Sequence, residues 1–254
     1  MANQAAKRNT KAGALHEERM IRQMIASRMN FAASEAYKLL RTNLMFSFSG
    51  AEEGRVIGLT SSFRGEGKSL TSVNLAYTLA ENRKKVLLIE ADMRLPTFSG
   101  RLGLYSSPGL SNLLAGLNSV AEALQSYEVK QEDGEIVSMN VLVSGDVPPN
   151  PSELLGSTQM QSLLSASRSR FDFIILDLPP VNAVTDALVA SKLVDGMVIV
   201  VRENQTVRGA LAETIRQLKL VDAHLLGFVY NGASDSGSGN YKGKRNYKKN
   251  YYQK

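Results

Sequence analysis

A glycine-rich stretch, SSFRGEGKS at 61–69, has the composition of a site for a nucleoside triphosphate. The glycines at 65 and 67 would let backbone N–H groups turn inward around phosphate oxygens. Lys68 would place a positive charge near the β- and γ-phosphates, and the hydroxyl of Ser69 would be a ligand of Mg²⁺. We therefore expect ATP and Mg²⁺ to bind along the loop formed by Ser62, Phe63, Arg64, Gly65, Glu66, Gly67, Lys68, Ser69 and Leu70.

The segments on either side of this loop support a nucleotide site. RVIGLTS at 55–61 is a short β-branched, apolar run that predicts a strand, and the apolar spacing over 68–82 predicts a helix. A phosphate-binding loop joins a strand to a helix, whose positive end then points at the phosphates. A chance glycine-rich turn is the alternative interpretation. Ser62 departs from the pattern, because the first residue of such loops is usually glycine.

Three acidic residues follow apolar strands that are expected to end at the same edge of a sheet. Glu90 and Asp92 close the run at 84–92, and Asp177 closes FIILD. Glu90 and Asp92 are two positions apart, so an extended strand would turn them the same way, as one metal contact and one general base. Asp177 is expected to hold Mg²⁺ through water. A turn or cap role is the alternative for any single acid, but three acids and a loop together favour chemistry.

Predicted strands and helices alternate along the rest of the chain. The strands are continuous apolar runs, which suits burial on both faces of a parallel sheet. We expect a P-loop type α/β fold: a mostly parallel central sheet with helices on both faces and ligands at the carboxyl ends of the strands. The segment 109–126 is expected to form two short helices around Gly116. Further strands are expected at 139–145, 171–180, 196–203 and 225–232, and further helices at 33–47, 152–170, 185–194 and 206–223.

Composition and charge limit the classes of function. The 254-residue chain has no cysteine, which excludes disulfides, iron–sulfur clusters and thiolate zinc sites. Its apolar runs are too short to cross a bilayer, and no secretion signal is evident. The net charge of +6 is uneven: residues 1–30 carry net +4, and residues 236–254 carry six cations and no acid, which leaves the body near −4.

The two ends are expected to lie apart from a single folded domain at 33–232. A basic, flexible arm covers 1–32, and a Gly/Ser linker and a disordered tail cover 233–254. A basic tail could meet nucleic acid or an anionic membrane, but a solvated tail is the simpler interpretation and no nucleic-acid partner is expected. Four of the nine tyrosines fall in the last fourteen residues, namely Tyr241, Tyr247, Tyr251 and Tyr252.

Four stretches together resemble a known family: TSSFRGEGKSLTSVNLA, VLLIEADMRLPT, GDVPPNPSELLGS and FDFIILDLPPVNAVTDA, in this order. They resemble the bacterial tyrosine kinases of capsule and exopolysaccharide loci, and among these the stand-alone cytoplasmic kinase of Gram-positive bacteria. The resemblance covers 33–232. It implies an ATP- and Mg²⁺-dependent kinase on a P-loop ATPase fold. The eukaryotic kinase fold is not implied, since its HRD and DFG signatures do not occur here.

The resemblance also implies roles for the residues of the site. Lys68 and Ser69 match the Walker A motif, Glu90 and Asp92 the Walker A′ motif, and Asp177 the Walker B motif. The family usually has aspartate at position 90. Because Glu90 is longer by one methylene, it stays open which of the two Walker A′ acids is the base.

Three further features follow from the same resemblance. The family usually has proline at position 64, where Arg64 would touch phosphate or be solvated. Asn231 resembles an adenine-contacting residue of related ATPases, although a lone asparagine there is as well explained as a turn former. EAYKLLR resembles an oligomerisation motif formed by Glu35, Lys38 and Arg41, with lysine in place of the middle arginine. It implies a ring of subunits, eight in the family, or else an ordinary surface helix with paired charges.

The tyrosine-rich tail is implied to be a substrate of the kinase itself. A flexible tail could bring a hydroxyl in line with the γ-phosphate, and the tail of a neighbouring subunit would do so at high effective concentration. The resemblance further implies a transmembrane polysaccharide co-polymerase-type adaptor whose cytoplasmic tail activates the kinase, and a cognate tyrosine phosphatase. The kinase would then be cytoplasmic and held at the inner face of the membrane by the adaptor.

Two other functions fit parts of the sequence. A partitioning or septum-positioning ATPase has the same fold, but such proteins carry a second lysine near the start of the loop, where this chain has Phe63, and they need no tyrosine tail. A non-catalytic nucleotide-binding scaffold is the other, and the unusual Glu90 keeps it open.

Overall fold

The computed structural model describes residues 29–48, 50, 53–131 and 133–233. Residues 1–28 of the expected basic arm lie outside this part, and so does the expected tail from residue 234 onward with its four tyrosines. The described helices are α1 (Phe31–Ser47), α2 (Lys68–Glu81), α3 (Phe98–Leu102), α4 (Leu110–Leu114), α5 (Val120–Ala123), α6 (Pro151–Leu155), α7 (Thr158–Arg168), α8 (Asp186–Ala190) and α9 (Arg208–Leu220). The described strands are β1 (Arg55–Ser61), β2 (Val86–Glu90), β3 (Leu124–Lys130), β4 (Ile136–Leu142), β5 (Phe173–Asp177), β6 (Gly196–Arg202) and β7 (Leu225–Asn231).

The seven described strands form one sheet in the order β3-β4-β2-β5-β1-β6-β7. All neighbouring strands are parallel except β3, which runs antiparallel to β4. Parallel neighbours need crossover connections, and the helices provide them. The expected α/β fold with a mostly parallel central sheet is therefore confirmed.

Both faces of the central strands are buried. Ile57 and Leu59 of β1 belong to one core cluster, together with Leu75 of α2. Val56, the residue before Ile57, belongs to a second cluster, together with Leu163 of α7. Helix α1 lies against α2 on the first face. Burial on both sides explains why the strands are continuous apolar runs, and it confirms that helices cover both faces.

The strand order brings three strand ends together at one edge of the sheet. β5 lies between β1 and β2, and Glu90, the last residue of β2, is the register partner of Asp177, the last residue of β5. On its other side Asp177 pairs with Leu59, two residues before β1 ends at the glycine-rich loop. A loop and acids that are far apart in sequence therefore meet at this edge, where a parallel sheet binds its ligands.

The edge strand β3 differs from the expectation. Short helices were predicted over 109–126, but α5 ends at Ala123 and β3 begins at Leu124. Tyr127 and Val129 pack toward the core, and the residues that alternate with them are exposed, which is the pattern of a strand with one solvated face. The two short helices predicted around Gly116 are confirmed as α4 and α5. The strand was missed because its partner, β4, comes only after a turn, and the periodicity of a short polar segment does not show such a partner.

The helix expected over 152–170 is also interrupted. α6 ends before Gly156, and a new helix starts at Thr158, capped by the side chain of Ser157, which accepts from the N–H of Met160 at 3.2 Å. Serine at this position stabilises the start of a helix, so the chain turns where uniform helical spacing was expected. None of the helices in the described residues combines the length and apolar character that a bilayer crossing requires.

Candidate active site

The glycine-rich loop runs from the end of β1 to the first turn of α2. Gly65 and Gly67 have positive φ angles of +86° and +92°, which side-chain-bearing residues rarely adopt. A Cβ on Gly67 would also lie 1.9 Å from Nδ2 of Asn231, whose amide donates to the carbonyl of Glu66 at 3.0 Å. The end of β7 therefore closes against the loop just where the free N–H groups of α2 begin.

The carboxylate of Glu66 holds the loop from inside. Glu66 is buried, and its Oε2 accepts the backbone N–H groups of Ser62 and Phe63 at 2.8 and 3.0 Å. Its Oε1 accepts from the hydroxyl of Thr206, in the turn after β6, at 2.5 Å. Ser62 and Phe63 were expected to line the ATP site, but their backbone N–H groups are used within the loop itself. Sequence reasoning missed Thr206, because no motif signals a hydroxyl 140 positions away.

Ser62 stands at the position where such loops usually have their first glycine. Its side chain is fully buried, and its hydroxyl lies 2.9 Å from that of Thr214 in α9. Phe63 and Arg64 are exposed. The carbonyl of Arg64 accepts from the side chain of Gln205 at 3.3 Å. Ser62 therefore ties the loop to α9, while its two neighbours lie on the outside.

Lys68 sits between two of the predicted acids. Its ammonium lies 3.1 Å from Oδ1 of Asp177 and 3.5 Å from Oδ2 of Asp92, and its side chain is only 8% exposed. It also lies 3.3 Å from the hydroxyl of Ser69. The structure thus brings the Walker A residues to Asp92 and Asp177, and these groups carry the charges that a magnesium–triphosphate complex requires.

Asp177 keeps one oxygen without a partner. Its Oδ1 accepts from Lys68 and from the hydroxyl of Ser72, at 3.1 and 3.0 Å. Its Oδ2 is buried and has no hydrogen-bond partner among the described residues, although an unsatisfied buried acceptor costs about 1–3 kcal/mol. Such an atom fits a ligand of a cation. Ser69, Asp92 and Asp177 supply the oxygen donors that Mg²⁺ takes together with phosphate.

The part of the chain that the structure describes holds no group of three or more His, Asp or Glu side chains able to bind a metal by themselves. Mg²⁺ in nucleotide sites is held by one or two carboxylates, with phosphate and water as the other ligands. The donor set around Lys68 therefore fits a cation that arrives with the nucleotide.

Glu90 lies at the same edge but has different partners. One oxygen accepts the backbone N–H groups of Thr97 and Phe98, the latter at 2.7 Å, and the other accepts that of Ser144 at 3.1 Å. β2 ends at Glu90, and the next residue, Ala91, still donates its N–H to the carbonyl of Asp177 at 2.9 Å. The expectation that the two acids point the same way stays a prediction, and so does the catalytic role of each.

Burial raises the pKa of both Walker A′ acids. For Glu90 desolvation is the largest cause, opposed by the three backbone hydrogen bonds and reinforced by the negative charge of Asp177. For Asp92 desolvation again raises the pKa, and the positive charge of Lys68 opposes it. A raised pKa is the direction that suits a proton acceptor.

Sequence reasoning also missed an ion pair beside the site. Arg94 donates through Nε and Nη2 to the two oxygens of Asp186, at 2.9 and 3.0 Å, and Asp186 is fully buried. The hydroxyl of Ser152 also donates to Asp186. The arginine follows Asp92 by two positions, so the pair fixes the segment after β2 to α6 and α8. The only sequence signal was a charged residue within an apolar context at each position.

The three residues of the predicted oligomerisation motif make contacts within the chain. Lys38 and Glu35 form an ion pair of 3.1 Å on the surface of α1. Arg41 donates to the carbonyl of Thr78 at 2.9 Å and lies 3.9 Å from Glu81, so it joins α1 to α2. The motif thus has a role in helix packing, and its role between subunits stays a prediction.

Comparisons with known proteins agree with this geometry. A family model described as an AAA domain matches residues 54–226. The tyrosine-protein kinase YwqD of Bacillus subtilis (strain 168) is 37% identical over 221 residues, which cover 87% of this chain and 90% of that protein. The kinase domain of the Escherichia coli tyrosine kinase ETK has a similar structure, with a TM-score of 0.71 and 30% identity, covering 80% of this chain and 78% of that one.

A more distant structure shares the fold alone. Cobyrinic acid a,c-diamide synthase from Mycobacterium smegmatis, with bound ATP analogue and magnesium, has a TM-score of 0.59 and 18% identity, covering 73% of this chain and 75% of that chain. The sheet and loop are therefore shared more widely than the sequence around them.

Proposed function

This chain belongs to the family of bacterial tyrosine-protein kinases that carry the AAA domain, and we propose that it transfers the γ-phosphate of ATP to tyrosine hydroxyls. The observation that carries the proposal is the buried ammonium of Lys68, at the start of α2, between Asp92 and Asp177. A cation and two acids at the end of a glycine-rich loop are the parts that phosphoryl transfer needs.

The loop and the first turn of α2 would bind the triphosphate. Free N–H groups at the helix start and the ammonium of Lys68 offer positive charge to phosphate oxygens. Ser69, Asp92 and Asp177 would hold Mg²⁺, which neutralises negative charge on the phosphates when bound. Asn231 closes the other side of the loop, where we place the adenine.

The reaction forms a bond between the tyrosine oxygen and the γ-phosphorus. It breaks the bond from that phosphorus to the oxygen shared with the β-phosphate, and ADP leaves. Lys68 stabilises the charge that develops on the departing oxygen. The phenolic proton passes to a carboxylate at the edge of the sheet, for which Glu90 and Asp92 are the two candidates.

The proposed acceptors are Tyr241, Tyr247, Tyr251 and Tyr252, phosphorylated by a neighbouring subunit. Nine residues lie between Asn231, at the edge of the site, and Tyr241. Phosphates would add about −1.5 to −2 charges each, so three or four of them would cancel most or all of the six positive charges of the tail. This loss of positive charge would weaken contacts between the tail and the mildly acidic body, and so act as a switch.

The physiological setting is part of the same proposal. We infer a ring of subunits assembled through Glu35, Lys38 and Arg41, activation by the cytoplasmic tail of a transmembrane adaptor, and reversal by a tyrosine phosphatase. The kinase would then act at the inner face of the membrane in the synthesis and export of a surface polysaccharide. Membership of the kinase family supports the kinase activity in this setting. The ring, the adaptor and the phosphatase are inferred from the family resemblance.

The test is incubation of the purified chain with Mg-ATP, with and without an adaptor-tail peptide, followed by anti-phosphotyrosine detection. We expect a signal that disappears in Lys68→Met and is kept in Lys85→Met, a matched change at an exposed lysine at the other end of β2. Phosphate release without phosphotyrosine would instead favour the partitioning ATPase, whose fold is compatible but for which no observation here is specific.

A further inference from the structure

We propose that Glu90 is a positioning residue, whose carboxylate anchors the segment that carries Asp92, and that Glu90 does not itself contact the reacting tyrosine. The proposal concerns a choice that the family motif leaves open in this chain, because glutamate stands where the family usually has aspartate. It rests on the proposed tyrosine kinase function.

Both oxygens of Glu90 are already in use. They accept three backbone N–H groups, from Thr97, Phe98 and Ser144, and the residue is 1% exposed. A general base must come within hydrogen-bond distance of the proton that it takes. To turn toward an incoming tyrosine, Glu90 would leave buried N–H groups without a partner, which is unfavourable for each of them.

Asp92 is placed differently. Its contacts are longer, 3.5 Å to the ammonium of Lys68 and 3.3 Å to the N–H of Leu95, and it is more accessible, at 9%. Hydrogen bonds of this length are weak and readily exchanged. Asp92 therefore lies beside Lys68 with contacts that it can exchange for an incoming ligand, which Glu90 cannot do.

The hydrogen bonds of Glu90 close the chain segment around Asp92. They join the end of β2 to residues 97 and 98 at the start of α3, and to Ser144, just after β4. Within the segment so closed, Arg94 is held by the buried Asp186. Asp92 thus lies in a segment fixed at both ends and in the middle, as the reacting geometry of phosphoryl transfer requires.

The extra methylene of Glu90 is needed for this role. An aspartate at position 90 would withdraw the carboxylate by about one carbon–carbon bond, or ~1.5 Å. The three N–H groups come from two separate loops, so a shorter side chain could not reach all of them without moving the backbone.

The experiment compares initial rates of phosphotyrosine formation for Glu90→Gln, Glu90→Asp and Asp92→Asn, with Asp172→Asn as control. Asp172 accepts the N–H of Lys85 at 2.7 Å at the amino ends of the strands, so its change removes the negative charge from a similar backbone contact far from the site. For each variant, kcat is measured against pH and KM for ATP separately. Amide exchange of Thr97, Phe98 and Ser144 is followed by NMR in the wild type.

We expect Glu90→Gln to lose about tenfold or less in kcat, because glutamine keeps one acceptor oxygen, with the pH profile unchanged. Glu90→Asp loses more than Glu90→Gln, because it cannot reach the N–H groups. Asp92→Asn loses about 100-fold or more, because it removes a charge that is expected to hold Mg²⁺ beside Lys68, and Asp172→Asn keeps the wild-type rate.

Two results would overturn the proposal. One is a loss in Glu90→Gln as large as that in Asp92→Asn, with removal of a limb of the pH profile. The other is fast exchange of the Thr97 and Phe98 amides in the wild type, which decides the question even if the variants do not fold. If the wild type forms no phosphotyrosine, the proposed function fails, whereas protected amides would still support the anchor.

Discussion

Two charged clusters tie β1 to its surroundings, one at each end of the strand. At the amino end, Asp195 accepts from both terminal nitrogens of Arg168, at 2.6 and 3.1 Å, and from the N–H of Val56 at 2.7 Å. At the carboxyl end, Lys68 lies between Asp92 and Asp177, and Asp177 keeps a buried oxygen without a partner among the described residues.

The two clusters contain similar groups, and the Nε of Arg55, which lies in the first cluster with its Nη1 3.8 Å from Asp195, is also buried without a partner among the described residues. The two aspartates differ in how fully their oxygens are satisfied. Asp195 uses both oxygens, and a planar guanidinium matches them in two parallel bonds, which is a favourable arrangement for stability. The cluster around Lys68 has a point charge, long contacts and an unused acceptor. A buried polar group left unsatisfied costs free energy, and a site that must bind a further charged ligand is one place where that cost is retained. The first cluster is thus structural and the second fits a binding site.

The sharpest test of this difference is Asp177→Asn. We expect phosphotyrosine formation to fall about 100-fold or more, because a neutral amide is a poor ligand for Mg²⁺. The free energy of unfolding should change by only about 1 kcal/mol, because the lost ion pair with Lys68 is offset by relief of repulsion toward Glu90 and Asp92. The measurements are initial rates and urea unfolding. If the activity of Asp177→Asn stays within tenfold of wild type, Asp177 has a structural role like that of Asp195.

The same substitution at the other cluster should give the opposite result. In Asp195→Asn the guanidinium of Arg168 loses its counter-charge in a half-buried setting, and we expect a loss of about 2 kcal/mol in unfolding free energy. For a domain of this size that lowers Tm by about 4–8 °C. The kcat of the folded fraction should stay at the wild-type value. A fall in kcat with unchanged Tm would reverse the assignment of the two clusters.

The carboxyl-edge cluster was largely predictable from sequence. A glycine-rich stretch between a predicted strand and helix fixes where Lys68 lies, and strand ends in a parallel sheet fix where Asp177 must be. The apolar runs predict the strands, and the carboxyl ends of parallel strands lie at the same end of the sheet. The amino-edge cluster was not found, because Arg168 and Asp195 belong to no motif and are brought together by packing alone.

The separate surroundings of Glu90 and Asp92 could not be predicted either. The N–H groups that hold Glu90 belong to residues 97, 98 and 144, and their positions depend on tertiary structure. For the same reason β3 was missed, since an edge strand is defined by its partner more than by its own composition.

The contact between the loop and β7 offers a smaller test within the carboxyl edge. In Gly67→Ala the new Cβ meets the side chain of Asn231, at 1.9 Å, in a backbone conformation with φ of +92°. We expect ATP affinity to fall about tenfold or more, because the loop must open to accept the methyl group. Fluorescent nucleotide titration would measure the loss.

The double variant Gly67→Ala, Asn231→Ala separates the two causes. Removing the asparagine side chain relieves the clash but not the backbone strain, so we expect affinity to recover in part relative to Gly67→Ala. No recovery would mean that strain alone accounts for the loss, and that the fit between β7 and the loop does not shape the site.

The smallest expected effect concerns the residue that replaces the usual first glycine. Ser62→Gly removes the contact of 2.9 Å with the hydroxyl of Thr214 and should cost about 1 kcal/mol in unfolding free energy. The backbone N–H of position 62 would still donate to Glu66, so ATP affinity should stay within about twofold of wild type. Thr214→Val, which removes the same hydrogen bond from the side of α9, is the matched control and should cost a similar amount. A large loss of ATP affinity in Ser62→Gly but not in Thr214→Val would show that Ser62 contacts the nucleotide. Ser62 would then belong to the binding cluster, although its buried hydrogen bond with Thr214 indicates a structural role.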